Sequence, residues 1–418
     1  MGRRAITYLV RSEAFEALGN FASDVVINTK NPQQLQAIIA ELETVIEQVP
    51  AGKTRWIMRT YLADALNRSG QPQFALPLYK LSAYEAEAAE NWANVAWICQ
   101  NLAISLAQLG RLPEAQETFQ HTAQTKRKIG NVEVDILLSE NEALRIGIMF
   151  GEVETALPTI EQHLVKIRDW WQRSQKGEKL AAAPDTDFLA RAFISGLDIA
   201  HSAHLRLEHW QEYLDLLIET EQVQQAAGES EEALARNRFN HYGPLMALGR
   251  LDEAQQVLEG CLRVFTNAND LTAQATVLSA LAAVWDERGD VSHAKEQERQ
   301  ALAIFERLPN PEDRAISHGN LSLYLHKVGE IEEGAGHRLA QIAYYIVIGN
   351  QQRLEHALGN LAICMQQAKE KGTTYPLPKL NELLQLPEFS TLKRWLAERG
   401  VNLGELQEKV DGVVGRIK

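Results

Sequence analysis

Residues 102–122 read LAISLAQLGRLPEAQETFQHT, and this stretch decides the fold. Leu102, Ala103, Leu106 and Leu109 fall at helical spacing before Gly110, and Leu112, Ala115, Phe119 and Thr122 do the same after it. Two amphipathic helices meeting at a glycine make a hairpin, because glycine reaches φ > 0 without the strain that a Cβ brings. The pattern recurs in LADALNRSGQPQFA (62–75), GEVETA (151–156), PLMALGRLDEA (244–254) and VWDERGDVSHA (284–294). The turn glycines are Gly70, Gly110, Gly151, Gly249 and Gly289, each followed five residues later by alanine, with Gly329 next. The steps Gly70–Gly110, Gly249–Gly289 and Gly289–Gly329 are 40 residues and Gly110–Gly151 is 41. The longer step from Gly151 to Gly249 fits two repeats plus an insertion.

Other columns keep the same register. Ala63, Ala103 and Ala282 lie seven residues before a turn glycine, and with the alanine five after it they let the two helices of a hairpin approach closely. Tyr79, Phe119, Ile160 and Leu258 lie nine after it and fill the space between hairpins. Cys261 shares a column with Ser82, Thr122 and Ala301, which reads as small packing residues. A fixed period of this size means a helical-hairpin solenoid, in which each repeat buries its apolar face on its neighbours. That is how 418 residues avoid one oversized core.

The Leu-Ala pair before the turn, the turn glycine, the alanine and the later aromatic or aliphatic residue make this chain resemble the tetratricopeptide repeat superfamily. The resemblance covers roughly residues 55–170 and 230–370. The usual unit is about 34 residues; the longer unit here is similar to those of kinesin light chains and of sensor arrays in large bacterial signalling ATPases. The fold class expected is all-α, a right-handed superhelical solenoid of about eight hairpins. The resemblance implies a non-catalytic scaffold or sensor array in bacterial signalling or defence, binding a protein or peptide in its concave groove. Two alternatives stay open: a peptide-pheromone receptor of the Rap-like class, and an enzyme with a metal site near His201 and His204.

The organisation expected is capping helices over 1–50, repeats over 51–173, an insertion loop and degenerate hairpin over 174–229, repeats over 230–371 and a helical cap over 372–418. At the start, one helix is expected near Ile6 to Leu18 and another from the Asn31-Pro32 cap to Val49. The insertion holds an exposed loop (174–186) and two helices, Phe188–Leu207 and Trp210–Val223, turning at Glu208-His209. In the cap, helices are expected at Ser390–Arg399 and Leu403–Val414.

Net charge is −13, so attraction to phosphate backbones is not favoured and no nucleic-acid partner is expected. Lys126-Arg127-Lys128 and the Lys166–Lys179 region read as solvated helix ends. Cys99, Cys261 and Cys364 are too dispersed for a disulfide framework and fit a reducing compartment. MGRRAITYLV lacks the apolar core of a secretory signal, and Ile6 stands where a myristoylation motif needs Ser or Thr. No apolar run approaches the ~20 residues of a membrane span. A cytoplasmic protein without a membrane partner is therefore expected; its oligomeric state is not specified by these features.

Ala51-Gly52-Lys53-Thr54 ends like a phosphate loop, but Glu47 occupies the position of the first glycine and a helix rather than a strand precedes it. His201 and His204 share a helical face with Asp198, without an HExxH motif. Neither points to catalysis, and no cofactor is expected. The more informative signal is an asparagine column. Asn101, Asn240 and Asn320 lie nine residues before a turn glycine, Asn360 is one period after Asn320, and Asn141 is displaced by one. Asparagine costs ~0.5 kcal/mol or more relative to alanine inside a helix. In peptide-binding tetratricopeptide domains the matching column faces the groove, where an amide offers donors and an acceptor together; the other reading is an inter-helix bond between repeats. Arg236, Phe239, His326, Lys327 and His356 occupy neighbouring columns and suggest a cationic, partly apolar trough suited to an acidic or C-terminal carboxylate ligand. Trp170-Trp171 reads as packing at the insertion or as a second patch.

Overall fold

The structure, a computed structural model, describes residues 8–29 and 31–417. The chain forms two compact units that divide between Ala227 and Gly228. Among the described residues there are helices and no strand.

The first unit has a helical turn over residues 8–11, then α1 (Phe15–Asn28) and α2 (Pro32–Val45). Hairpins follow: α3 (Lys53–Arg68) with α4 (Pro72–Ala88), α5 (Trp92–Gln108) with α6 (Leu112–Lys128), α7 (Glu133–Met149) with α8 (Val153–Gln175), and α9 (Thr186–Arg206) with α10 (Trp210–Ala226). The second unit contains α11 (Glu231–Phe239), α12 (Tyr242–Ala247) and α13 (Leu251–Asn267), then α14 (Leu271–Glu287) with α15 (Val291–Phe305), and α16 (Pro311–Val328) with α17 (Ile331–Ile348). It ends with α18 (Gln351–Glu370), the single turn α19 (Leu380–Leu383), α20 (Ser390–Glu398) and α21 (Leu403–Gly415).

The repeat length follows from the helices. α5 and α6 each have 17 residues, and with two three-residue connections they account for the 40-residue period. Each hairpin turn is closed by the same pair of bonds. Gly110 (φ 71) donates its N–H to Ala107 O at 3.0 Å, and Arg111 N–H reaches Leu106 O at 2.9 Å. This is the Schellman arrangement, which satisfies carbonyls the helix end would otherwise leave unpaired. The alanine column, and the larger residues at Tyr79, Phe119, Ile160 and Leu258, are buried. Ser82, Thr122, Cys261 and Ala301 are buried as well, so this column is packing.

The missing repeat is the α9–α10 hairpin. Its turn residue is Glu208, held at φ 56 in the left-handed region where the other repeats place glycine. The extra length lies in α8, at 23 residues, and in the connection that follows it. That connection is not simply exposed. Ala182 O accepts the Val134 N–H at 3.0 Å, and Leu180, Ala182 and Ala183 pack on the core of the first unit. Trp170 and Trp171 are buried in the same core, so they are packing residues.

Three terminal and boundary details differ from the sequence expectation. The single helix near Ile6 to Leu18 is interrupted: Glu13 takes φ 54, and α1 starts at Phe15; Ile6 lies outside the described residues. α2 ends at Val45 and continues as a short 3₁₀ turn, Ile46–Gln48. The first helix before Gly249 is split into α11 and α12, because Pro244 cannot donate to Asn240 O and its ring crowds that carbonyl.

Candidate functional site

Within the second unit, α16, α17 and α18 enclose a trough of about 860 Å³. α16 supplies Asn320, Leu323, His326 and Lys327; α17 supplies Arg338, Gln341 and Tyr345; α18 supplies His356, Asn360 and Cys364. Five of the sequence candidates, Asn320, His326, Lys327, His356 and Asn360, thus line one cavity. Arg236 and Phe239 line another, of about 490 Å³, with Phe265 and Asp270. Asn240 is the exposed cap residue after α11, outside the helical register that the column assumes. Asn101 is half-buried on α5 in the first unit.

The charge of the trough is not where the sequence columns put it. Lys327 Nζ lies 2.6 Å from both carboxylate oxygens of Asp286. Arg353 Nε is 2.7 Å from Glu312 Oε1. In the neighbouring cavity, Arg236 is paired with Glu232 at 2.8 Å and Asp270 at 2.5 Å. His326 faces the Ser322 carbonyl through Nδ1, which places the ring proton there. Its Nε2 then accepts from the Tyr375 hydroxyl at 2.7 Å, and the two rings stack at 11°. Burial lowers the pKa of this imidazole, so it is neutral near pH 7. The remaining strong cation is Arg338. Its side chain is buried, with the residue 2% exposed. Nη1 donates to Gln341 Oε1 at 2.6 Å, and Nε has no partner among the described residues.

Two helix-interior glycines make room for this floor. A Cβ on Gly319 would sit 2.1 Å from Gln341 Nε2, so the glycine lets that side chain lie flat against α16. A Cβ on Gly334 would meet the His326 ring at 2.7 Å. Glycine inside a helix costs about 1 kcal/mol relative to alanine; here both positions house polar side chains of the trough.

Sequence reading missed Arg338 and Gln341 because it looked to the first helix of each hairpin. α17 is the second helix of its hairpin, yet residues Gly334 to Tyr345 are buried all round. The cap explains this. Leu380, Leu383, Phe389, Leu392 and Trp395 pack with Leu339, Ile342, Tyr344 and Tyr345 in one core. The signal was present in GAGHRLAQIAYYIVI (334–348): mostly small and apolar residues interrupted by His337, Arg338 and Gln341, the last two three apart on one face.

The asparagine column divides between roles. Asn141 is buried, with Oδ1 2.7 Å from His163 Nδ1, an inter-helix bond within its hairpin. Asn320 lines the trough and helps hold down the pKa of the buried carboxyl of Glu298. Asn360 lines the trough and makes no side-chain hydrogen bond within the described residues.

The remaining sequence candidates are accounted for by packing. His201 Nε2 meets the Thr220 hydroxyl at 3.2 Å, and His204 is buried with its pKa lowered by desolvation. Among the described residues, no three His, Cys, Asp or Glu side chains are gathered as a metal would need. In the Lys126-Arg127-Lys128 cluster, Arg127 and Lys128 are exposed at the end of α6 as expected, and Lys126 is not. Lys126 is buried against Asp135 at 2.9 Å, Arg127 pairs with Glu140, and Lys128 lies 3.3 Å from the centre of the Trp92 ring. Gly52 precedes the first turn of α3, with φ 137, and the preceding turn is 3₁₀ rather than a strand.

No described helix is long and apolar enough to cross a membrane. No protein-family model matches the chain, and no curated protein does. Solved structures do. A Signal Transduction ATPase with Numerous Domains (STAND) protein with a tetratricopeptide repeat sensor, from Pyrococcus horikoshii, matches with TM-score 0.58 and 12% identity over 85% of this chain. The chain spans about half, 52%, of that protein's length. The apo form of the quorum sensor NprR from B. thuringiensis matches with TM-score 0.51 and 11% identity, over 91% of this chain and 99% of that one. A putative kinesin light chain with nearly identical TPR-like repeats, from Podosopora anserina, gives TM-score 0.40 and 19% identity over 52% of this chain and 99% of that one. With glycine-closed hairpins, an alanine packing column and the two neighbours at TM-scores 0.58 and 0.51, the chain has the tetratricopeptide-like helical-hairpin fold.

Proposed function

We propose that this chain is a non-catalytic binding scaffold or sensor array in the cytoplasm, and that a protein or peptide ligand lies in the α16–α18 trough. One observation carries the reading: five polar candidates from two successive first helices converge on a single cavity that also holds Arg338 and Gln341. An extended peptide presents a backbone donor and acceptor at every residue, and Asn320, Gln341 and Asn360 offer amides to both. A role in bacterial signalling or defence rests on the long repeat period.

The test uses a random peptide library displayed with free C-termini and selected on the full chain. Selected peptides, remade synthetically, are titrated calorimetrically against wild type and Ile363→Trp, which crowds the trough from an exposed position. Affinity at least ten-fold weaker in the variant is expected. Equal affinity for both proteins, or a library without binders, would overturn the reading.

A further inference from the structure

Arg338 presents a buried guanidinium to the trough without a carboxylate beside it. The groups packed around it are the Cys364 thiol and the Tyr345 and Tyr375 phenols, all neutral near pH 7, together with neutral His326. Every other Lys or Arg lining the trough, Lys327 and Arg353, already holds an acid. An arginine side chain keeps its charge even where burial pulls its pKa down, as it does here. A guanidinium withdrawn from water and left without a counter-charge is unfavourable. Its cost is explained if an anion arrives from outside. Gln341 holds Nη1, so the fork is set in one orientation while Nε stays unpaired. Gly319 in turn exists as the space for Gln341. Three residues on two helices therefore build and aim one donor group.

We propose that Arg338 is a carboxylate receptor: a peptide bound in the trough places a carboxylate, from its C-terminus or from an Asp or Glu side chain, on this guanidinium. Gln341 is a positioning residue and Gly319 gives it room. The pair forms out of water, so it should respond weakly to ionic strength, unlike the exposed ion pairs at the rim. The inference rests on the trough as the binding site.

The test takes peptides already selected on the full chain and sensitive to Ile363→Trp. Each is resynthesised with an amidated C-terminus, and separately with Asp and Glu replaced by Asn and Gln. One of the two forms is expected to bind wild type at least ten-fold more weakly, and which one identifies the source of the carboxylate. Arg338→Gln is expected to bind the parent and the neutralised peptide equally, and Gly319→Ala to narrow the difference between them. Because the first comparison alters the peptide alone, a poorly folded variant cannot hide the answer. If every neutralised peptide binds wild type as tightly as its parent while Ile363→Trp still weakens binding, the carboxylate assignment fails and the trough stands. If Ile363→Trp has no effect, both fail.

Discussion

The first unit also has a groove lined by charged residues, and it differs from the trough of the second in one respect. Around α7, a cavity of about 670 Å³ is lined by Arg127, Glu133, Glu140, His163 and Lys166. There the chain closes its own electrostatics: Arg127 pairs with Glu140, Lys166 with Glu133 at 3.0 Å, and His163 with Asn141 at 2.7 Å. In the trough of the second unit Arg338 has no such partner. Charged residues line a cavity in both units, but they are closed pairs in the first while Arg338 is open in the second. What distinguishes them is whether an acid lies within reach, and a repeat pattern does not state that.

The comparison breaks most visibly at the buried cations. Lys126 in the first unit is buried and bonded to Asp135, Gln100 and Ser139. Asp135→Ala strands that ammonium and is expected to cost about 3 kcal/mol. Arg338→Met removes a buried charge that has no acid, so its melting temperature should be unchanged or higher than wild type. Thermal melts of both variants check this; a drop in Arg338→Met as large as in Asp135→Ala would make Arg338 structural cement.

A second contrast is sharpened by pH. Glu298 in the second unit is buried between Ser279 and Ser317, with Oε1 3.0 and 2.5 Å from the two hydroxyls. Burial raises its pKa to about 7, from 4.5 in an exposed state. The folded state therefore binds the proton more tightly than the unfolded chain does. Stability from this group is present below pH 4.5 and is lost as pH rises toward 7. The loss is up to about 3 kcal/mol on the linkage scale. The His318–His337 pair has the opposite sign. Both pKa values are lowered by burial, so its stability is present above pH 6.5 and is lost as pH falls. Wild type minus Glu298→Gln isolates the carboxyl: the variant should gain on wild type between pH 5 and pH 7.5 in denaturant titrations. A difference independent of pH would show that Glu298 is ionised throughout.

The smallest effect separates the two roles of asparagine. Asn141→Ala breaks a buried bond and strands His163, and should cost about 1–2 kcal/mol. Asn360→Ala removes a side chain without an internal partner and should raise stability by about 0.5 kcal/mol through helix propensity. Melts that fall equally in both variants would assign the whole column to repeat packing.

These contrasts show what kind of information each level held. The hairpin turns were legible because the requirement is local: a chain reversing after Leu109 needs a left-handed residue, and Gly110 supplies one. The same requirement at Glu208 was met without glycine, and there only the spacing showed the turn. Trough residues on α16 and α18 were legible through register, since residues one period apart face the same way. Asn240 kept its place in the count but left the register, because Pro244 breaks the helix that the count assumes. Arg338 and Gln341 were hidden because their position in the hairpin said nothing about the cap.

By itself, then, the sequence determined the helices, their turns, their period and the buried columns, since these depend on interactions between residues within about forty positions. Tertiary structure decided the rest. The cap, forty and more residues beyond Arg338, buries α17 on all sides. Pairings such as Lys327 with Asp286 neutralise cations that look available in the sequence. Whether a charge is open or closed depends on which distant side chain stands within about 4 Å of it, and the repeat pattern carries no term for that.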